Sequence, residues 1–167
     1  MLRKGFVMKT LGILLSTAGL AGVGVIALSA VPAEAAVDSM AASCSGARSI
    51  SSAPMLRDNQ PPSWGTIRLV RDNCSQYWAE ITMASPIVAN AKANAFLVQS
   101  GGGNNGRVLS CDSSGGNGSV IQGQRTCRTP KVKATCGSIT FTAVGREFHN
   151  YGGGYEEISE NSTRRTR

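Results

Sequence analysis

The amino-acid sequence predicts an all-β protein, a small disulfide-stabilised sandwich or barrel that follows a cleaved signal peptide. Two observations favour the β class: short runs alternate apolar with polar residues, and glycine- and asparagine-rich turns separate these runs. The third observation is that all five cysteines follow the apolar N-terminal segment, which places them in the exported part of the chain. Short strands at this spacing are typical of sandwiches and barrels.

The N-terminal segment, residues 1–35, has the three parts of a secretory signal peptide. Its first nine residues include three basic side chains, residues 11–31 are almost wholly apolar or small, and Ala-Glu-Ala at 33–35 is a small-x-small cleavage pattern. We expect cleavage after residue 35 and a secreted, extracellular product. The alternative is a retained membrane anchor, because the apolar stretch is long enough to span a bilayer.

Cleavage would leave 132 of the 167 residues, which suits one domain with its own core. The whole chain has 17 basic and 10 acidic residues and a formal net charge of +7. Three of the basic residues and one acidic residue belong to the predicted signal, so the exported part has 14 basic and 9 acidic residues, or about +5. Part of the chain's net positive charge therefore lies in the predicted signal peptide.

Three segments follow the predicted signal. Residues 36–63 are rich in serine, alanine and proline, and we expect an extended N-terminal arm that is loosely structured and tied down at Cys44. Residues 64–150 contain the alternating runs and are the predicted β domain. Residues 151–167 are rich first in glycine and then in charge, and we expect a flexible tail that frays.

The alternating runs define the predicted strands. Residues 66–70 and 77–83 alternate on either side of a turn, which predicts an antiparallel hairpin whose odd-numbered residues in the second run share one face. The alanine-rich run 87–95 is the one good candidate for a helix. Further strands are predicted at residues 95–99, 107–111, 119–121, 131–134 and 138–144.

The five cysteines are expected to form disulfides, because a secreted chain meets an oxidising environment. Our preferred pairing joins Cys44 to Cys74, and Cys111 to either Cys127 or Cys136. The odd count leaves one free thiol or an intermolecular bond. No pair of cysteines has the two-residue spacing of a zinc site, and we expect neither a metal nor another cofactor.

The titratable residues give little support for an enzyme. Only Glu80 and Glu147 lie in or near predicted strands where two carboxylates could act together, and Glu80 fits a solvated strand face near Arg68 better. The single histidine, His149, is tied by no local motif to a nucleophilic cysteine or serine. We therefore predict no catalytic residue.

A basic cluster near the fourth cysteine is the first candidate binding site. It consists of Arg125, Arg128, Lys131 and Lys133, which outside the cell would meet cell-wall polymers, anionic lipids or free DNA. Nucleic acid is disfavoured, because the aromatic residues that stack on bases are missing here. The simpler interpretation of the cluster is a solvated basic face.

The two tryptophans are expected to have different roles. Trp78 follows Cys74 closely and is expected to pack in the core beside a disulfide. Trp64 follows a proline-rich run and is expected at a rim, where an aromatic ring can bind a ligand such as a sugar. Trp64 therefore joins the basic cluster as a candidate binding residue.

The stretch 65–81 carries a family resemblance. It reads GTIRLVRDNCSQYWAEI, in which an alternating strand precedes Cys-x-x-x-Trp-Ala, and an upstream cysteine, Cys44, is followed by an alanine and a Ser-Ile pair. This pattern resembles the YjfA-like family, small secreted proteins of Gram-positive bacteria that are frequent in actinobacteria and have no known function. The resemblance covers roughly residues 44–100. It implies a secreted β-rich domain with a bridge between Cys44 and Cys74, and it assigns no catalytic residue.

Together these features predict a secreted, non-enzymatic binding or adaptor protein. One specific form is a linking subunit of an extracellular multiprotein assembly, such as an antibacterial toxin particle, in which the arm 36–63 adds a strand to a partner's sheet. One alternative is a cell-envelope or glycan-binding protein that uses Trp64 and the basic cluster. Another is an inhibitor that presents the loop 112–118 to a secreted hydrolase. We expect protein partners or a cell-wall polymer, no nucleic acid, and no membrane once the signal is cleaved.

Overall fold

A computed structural model describes residues 44–135 and 137–167 of the chain. The predicted signal peptide, the first eight residues of the predicted arm and Cys136 lie outside the described residues. The described residues form two antiparallel sheets and no helix, which confirms the predicted all-β class. Their strands are β1 Arg48–Arg57, β2 Gln60–Arg71, β3 Gln76–Met83, β4 Ala91–Ser100, β5 Val108–Ser110, β6 Thr126–Arg128, β7 Val132–Lys133, β8 Thr140–Asn150 and β9 Tyr155–Ser162.

The two sheets pack face to face as a sandwich. The first sheet has the order β1-β2-β3-β6, with β7 also paired to β3, and the second has the order β5-β4-β8-β9. The predicted hairpin at 66–70 and 77–83 is confirmed, because β2 and β3 pair antiparallel with Leu69 opposite Ala79. Strands that neighbour each other in sequence thus make most of each sheet.

The hydrophobic core lies between the two sheets. Alternate residues of β3 point into it, as their period predicts, and Tyr77 stacks on Phe141 of the facing sheet with ring centroids 4.6 Å apart. Gly145 lets large side chains approach its backbone: a Cβ atom there would lie 2.6 Å from Met55 Sδ and 3.1 Å from Ile67 Cβ. Glycine at 145 is therefore a condition of the close packing between the sheets.

Two disulfides join distant parts of the described chain. Cys44 pairs with Cys74, as predicted, and ties the chain before β1 to the β2–β3 turn. Cys111 pairs with Cys127, one of the two predicted alternatives, and links the end of β5 in the second sheet to β6 in the first. With sequence separations of 30 and 16 residues, these bridges remove about 3.6 and about 3 kcal/mol of unfolded-chain entropy.

The predicted helix at 87–95 is wrong. β4 begins at Ala91, and Ala91, Ala93 and Ala95 alternate inward as buried residues of the second sheet. Alanine favours helices in isolation, but its small side chain also fits where a strand lies close to the bulky side chains of a facing sheet. Packing between the sheets has decided the conformation here.

The predicted free arm and flexible tail are corrected as well. Part of the arm forms β1, which pairs antiparallel with β2, and part of the tail forms β9, which pairs with β8. The two strands also meet each other, because the side chains of Ser159 and Asn161 donate hydrogen bonds to the carbonyl of Leu56. Backbone pairing needs no apolar side chains, so both segments could join the sheets despite their polar composition.

Candidate functional site

A cavity of about 310 Å³ opens at one end of the sandwich, close to where β2 and β4 begin and β3 and β8 end. We call it the Trp64 pocket. Its lining is mostly apolar, with a few polar side chains, a combination typical of binding sites. The lining residues come from both sheets and the β3–β4 loop: Arg57, Trp64, Met83, Ala84, Ser85, Pro86, Ile87, Val88, Ala91, Glu147 and His149.

The rim of the Trp64 pocket exposes apolar surface. The side chains of Trp64 and Val88 are 42% and 66% exposed, whereas Met83 and Ile87 are buried behind them. A backbone hydrogen bond of 2.8 Å from Ala84 N–H to the Trp64 carbonyl joins the loop to β2. Large apolar side chains left open around a cavity are typical of surfaces that a partner covers.

Arg125 holds the β3–β4 loop in place. Its guanidinium donates hydrogen bonds to the backbone carbonyls of Met83, at 3.2 Å, and Ala84, at 2.9 Å. The neighbouring Gln124 carbonyl accepts a 2.9 Å hydrogen bond from Ile87 N–H. Arg125, a candidate binding residue of the basic cluster, is exposed and does not line the Trp64 pocket, and its hydrogen bonds fix the loop that does.

An ion pair between a buried glutamate and a partly exposed arginine forms the polar side of the pocket. Glu147 is 3% exposed, and Arg57 donates two hydrogen bonds to it, from Nη2 to Oε1 at 2.6 Å and from Nε to Oε2 at 3.1 Å. The same guanidinium lies over the Trp64 ring, 3.9 Å from its centroid. The pair thus neutralises the buried carboxylate and holds the tryptophan in position.

His149 lines the same pocket two residues beyond Glu147, on the same face of β8. Its ring packs against Tyr151 with centroids 4.5 Å apart, and its Nδ1 atom is buried without a hydrogen-bond partner among the described residues. Glu80, the other member of the predicted carboxylate pair, lies on the outer face of the first sheet and pairs with Arg68. The structure therefore does not bring the two glutamates together.

The other three basic residues of the predicted cluster lie along the outer face of the first sheet. Arg128 is opposite Glu80 in the pairing of β6 with β3, on the outer face of the first sheet. Lys131 and Lys133 line a second cavity, at the end of the sandwich opposite the Trp64 pocket. Lys133 is opposite Gln76 in the pairing of β7 with β3, so these lysines share the outer face with Arg128 and are separated from Arg125, which bonds the β3–β4 loop.

Trp78 is buried, but it lies on the outer face of the first sheet and not in the core between the sheets, where it was expected. Its ring is 4% exposed and lies under Lys131, whose Nζ is 4.6 Å from the ring centroid. Asp72 holds that lysine with a 3.0 Å ion pair and also accepts hydrogen bonds from the N–H groups of Cys74 and Gln76. Burial alone would raise the pKa of Asp72, but these hydrogen bonds and the lysine charge hold it below its usual range.

The loop 112–118, the predicted inhibitory loop, is held by its own hydrogen bonds. Asp112 accepts hydrogen bonds from the hydroxyl and the N–H of Ser119 and from Asn94 Nδ2, and these bonds, the hydroxyl's first, lower its pKa. The disulfide at Cys111 fixes the base of the loop. Every residue of the loop is polar or glycine, so it lacks the apolar anchor typical of tight interfaces.

Two further observations concern the part of the chain that the structure describes. No three side chains of the kinds that bind metals gather there as a metal site requires. No helix in those residues has the length and apolar character needed to cross a membrane.

Sequence reasoning predicted Trp64 at a rim but missed the residues around it. Arg57 and Glu147 are 90 residues apart, so no local motif joins them. One signal was available: the inward face of β8 runs through Phe141, Ala143 and Gly145 and then reaches Glu147, a charge where the period demands an apolar residue. A charge at such a position needs a buried partner and therefore marks a site.

Comparison with known proteins reveals a relative of unknown role. The chain is similar to the uncharacterized protein YjfA of Bacillus subtilis (strain 168), with 39% identity over 59 residues. The match covers 35% of this chain and 36% of YjfA, so the chain spans about a third of the length of the relative. The predicted resemblance to YjfA is confirmed to that extent. No family model and no solved structure matches the chain.

Proposed function

We propose that this protein is a secreted, non-enzymatic binding protein that holds an apolar group of a protein partner in the Trp64 pocket. The observation that carries the proposal is the make-up of the pocket: a buried apolar wall, an exposed tryptophan at the rim and an arginine stacked on it. Tryptophan and arginine beside a preformed cavity are the usual anchors of protein interfaces. Export is supported by the predicted signal and by two disulfides, which persist in oxidising compartments.

The sheet edges support recognition through the pocket more than recognition through strand addition. The edge strands β5, β6 and β7 have only three, three and two residues, and the two longer edges, β1 and β9, lie against each other, where side chains of β9 donate hydrogen bonds to the Leu56 carbonyl. An added strand needs a longer free edge. Residues 48–57 of the predicted arm are already paired with β2 on one side, so they are part of the sheet and not a free arm.

The state of Glu147 supports binding rather than catalysis. Both of its carboxylate oxygens accept hydrogen bonds from Arg57, so the group is engaged in holding the guanidinium that lies over the Trp64 ring. Glu80 lies on another face of the molecule. An apolar side chain of a partner can enter the pocket without disturbing the ion pair, and its burial there gives the favourable free energy.

Two exposed valines provide a matched test of this proposal. Val88 lies at the rim and is 66% exposed, and Val108 lies on β5, away from the pocket, and is 53% exposed. Val88→Ser and Val108→Ser change the same side chain in the same way, and Trp64→Ala removes the central anchor. The immobilised full-length protein and each variant are incubated with native culture medium, and retained proteins are identified by mass spectrometry.

We expect the wild type and Val108→Ser to retain one partner equally well. Trp64→Ala should weaken binding of that partner at least tenfold, the loss typical of an interface anchor. Val88→Ser should weaken it to a smaller extent. Urea unfolding first shows that each variant has the same unfolding midpoint as the wild type. Equal retention by all three variants, or no specific partner at all, would refute the proposal.

A further inference from the structure

The end of the sandwich opposite the Trp64 pocket carries two adjoining cavities. They have volumes of about 430 and about 390 Å³, and both are lined by Thr135 and Ile139. One is lined by Gln99 near the end of β4, whereas Ala91 at the start of that strand lines the Trp64 pocket. Eight residue steps of a strand separate the two ends by roughly 26 Å. We call the joined cavities the cationic groove.

The charged side chains that line the cationic groove are all basic. The charged lining residues are Arg71, Arg107, Lys131, Lys133 and Arg167, and no aspartate or glutamate lines either cavity. Lys131 is paired with an aspartate behind it, and Arg71 bonds a serine hydroxyl. The other three side chains are exposed and have no carboxylate partner within the described residues. Like charges left together in a concave surface raise the local concentration of anions.

The neutral lining indicates which anions fit. Asn104 and Thr135 add hydrogen-bonding groups beside the cations, as phosphate oxygens require. Tyr77 is the aromatic residue of the lining, and it is 3% exposed and stacked on Phe141. No ring there is open to stack on a nucleobase, and such stacking supplies much of the affinity for single-stranded nucleic acid.

We propose that the cationic groove binds a polymer of repeating phosphodiesters without bases, of the kind found in a bacterial cell wall. Arg107 and Lys133 contact successive phosphates, and Arg71 and Arg167 extend the contact along the second cavity. The groove and the Trp64 pocket lie at opposite ends of the strands, so both can be occupied at once. The protein then connects an envelope polymer to its protein partner.

The test uses the full chain with its disulfides formed and poly(glycerol phosphate) as the probe. Binding is measured by titration at several salt concentrations for the wild type and for two charge-matched variants. Arg107→Ser with Lys133→Ser removes two cations of the groove. Arg128→Ser with Lys92→Ser removes one arginine and one lysine from outside the groove lining. Any difference between the two variants therefore reflects position and not net charge.

We expect the groove variant to weaken binding about tenfold at low salt, and the control variant to stay within about twofold of the wild type. The slope of log Kd against the logarithm of the salt concentration should decrease by about 1.4, because each of the two lost phosphate contacts contributes about 0.7. Equal weakening by both variants, or no binding at low salt, would overturn the proposal. Tighter binding of single-stranded DNA at equal phosphate concentration would also overturn it, in favour of nucleic acid. Trp64→Ala should leave polymer binding unchanged. A failure of the polymer proposal can therefore be told apart from a failure of the proposed protein binding.

Discussion

Replacing Asp72 by asparagine should destabilise the protein by about 2 kcal/mol. The carboxylate accepts backbone hydrogen bonds from Cys74 and Gln76 at 3.1 and 3.0 Å and a 3.0 Å ion pair from Lys131. Hydrogen bonds to a charged group contribute about 1.5–3 kcal/mol each. Asparagine keeps one oxygen that can accept hydrogen bonds from the two N–H groups, but it loses the ion pair with Lys131. About a third of the Lys131 side chain is exposed, so solvent partly screens that pair and reduces the loss. Asp72→Ala also leaves both N–H groups unpaired and should cost about 4 kcal/mol.

The stability lost by Asp72→Asn should depend on pH. The folded-state pKa of Asp72 is lowered, so its carboxylate stabilises the fold at every pH above the unfolded value of about 3.9. As pH falls through the folded pKa, the wild type takes up the proton and loses this contribution. Urea unfolding of both proteins at pH 7 and at successively lower pH, with disulfides intact, should show a gap that closes in this acidic range.

Asp58→Asn is the control for this experiment. Asp58 is exposed and has a positive φ of 51°, a conformation that asparagine also adopts readily, so its replacement should change stability by less than about 0.5 kcal/mol. The reasoning fails if Asp72→Asn costs no more than Asp58→Asn at pH 7. It also fails if the gap between the wild type and Asp72→Asn stays constant as the pH falls.

Three further predictions concern the core, the link between the sheets and the pocket. Gly145→Ala should cost about 1–3 kcal/mol in urea unfolding because its methyl group enters occupied space, whereas Gly103→Ala, which meets nothing within 4 Å, should be nearly neutral. Similar costs for the two would contradict the packing described for the core. Joint replacement of Cys111 and Cys127 by alanine should cost about 3 kcal/mol or more, since both are also buried. Arg125→Met should speed amide hydrogen exchange in the β3–β4 loop and weaken partner binding. Unchanged hydrogen exchange in the loop would show that Arg125 does not hold the loop in place.

Local alternation was enough to predict the centre of the first sheet. Residues 77–83 place apolar side chains at every second position, and that period survives in the structure as the inner face of β3. The same reasoning failed for Ala91, Ala93 and Ala95, because alanine suits both conformations and the facing sheet decided between them. β9 was missed for a different reason: an edge strand with several glutamates gives almost no apolar signal.

The candidate site was predictable only in part, because its residues meet through the fold. Trp64 gave a local signal through the prolines before it, but its partner Arg57 lies across a turn that contains residues with positive φ. The four basic residues near 125–133 are neighbours in sequence, yet Arg125 bonds the β3–β4 loop while Lys131 and Lys133 line the cavity at the other end of the strands. Clustering along the sequence therefore overstated how far they act together.

The Cys44–Cys74 bridge also determines how the molecule can be attached to a surface. It fixes Cys44 at the β2–β3 turn, and Arg167 lines the cationic groove at that same end of the strands. Cys44 and Arg167 therefore both lie at the groove end of the sandwich. A molecule immobilised at that end, by a polymer or by a fused tag, presents the Trp64 pocket outward. A tag fused at Arg167 would crowd the groove while leaving the pocket accessible, so the position of the tag decides which of the two sites an experiment can detect.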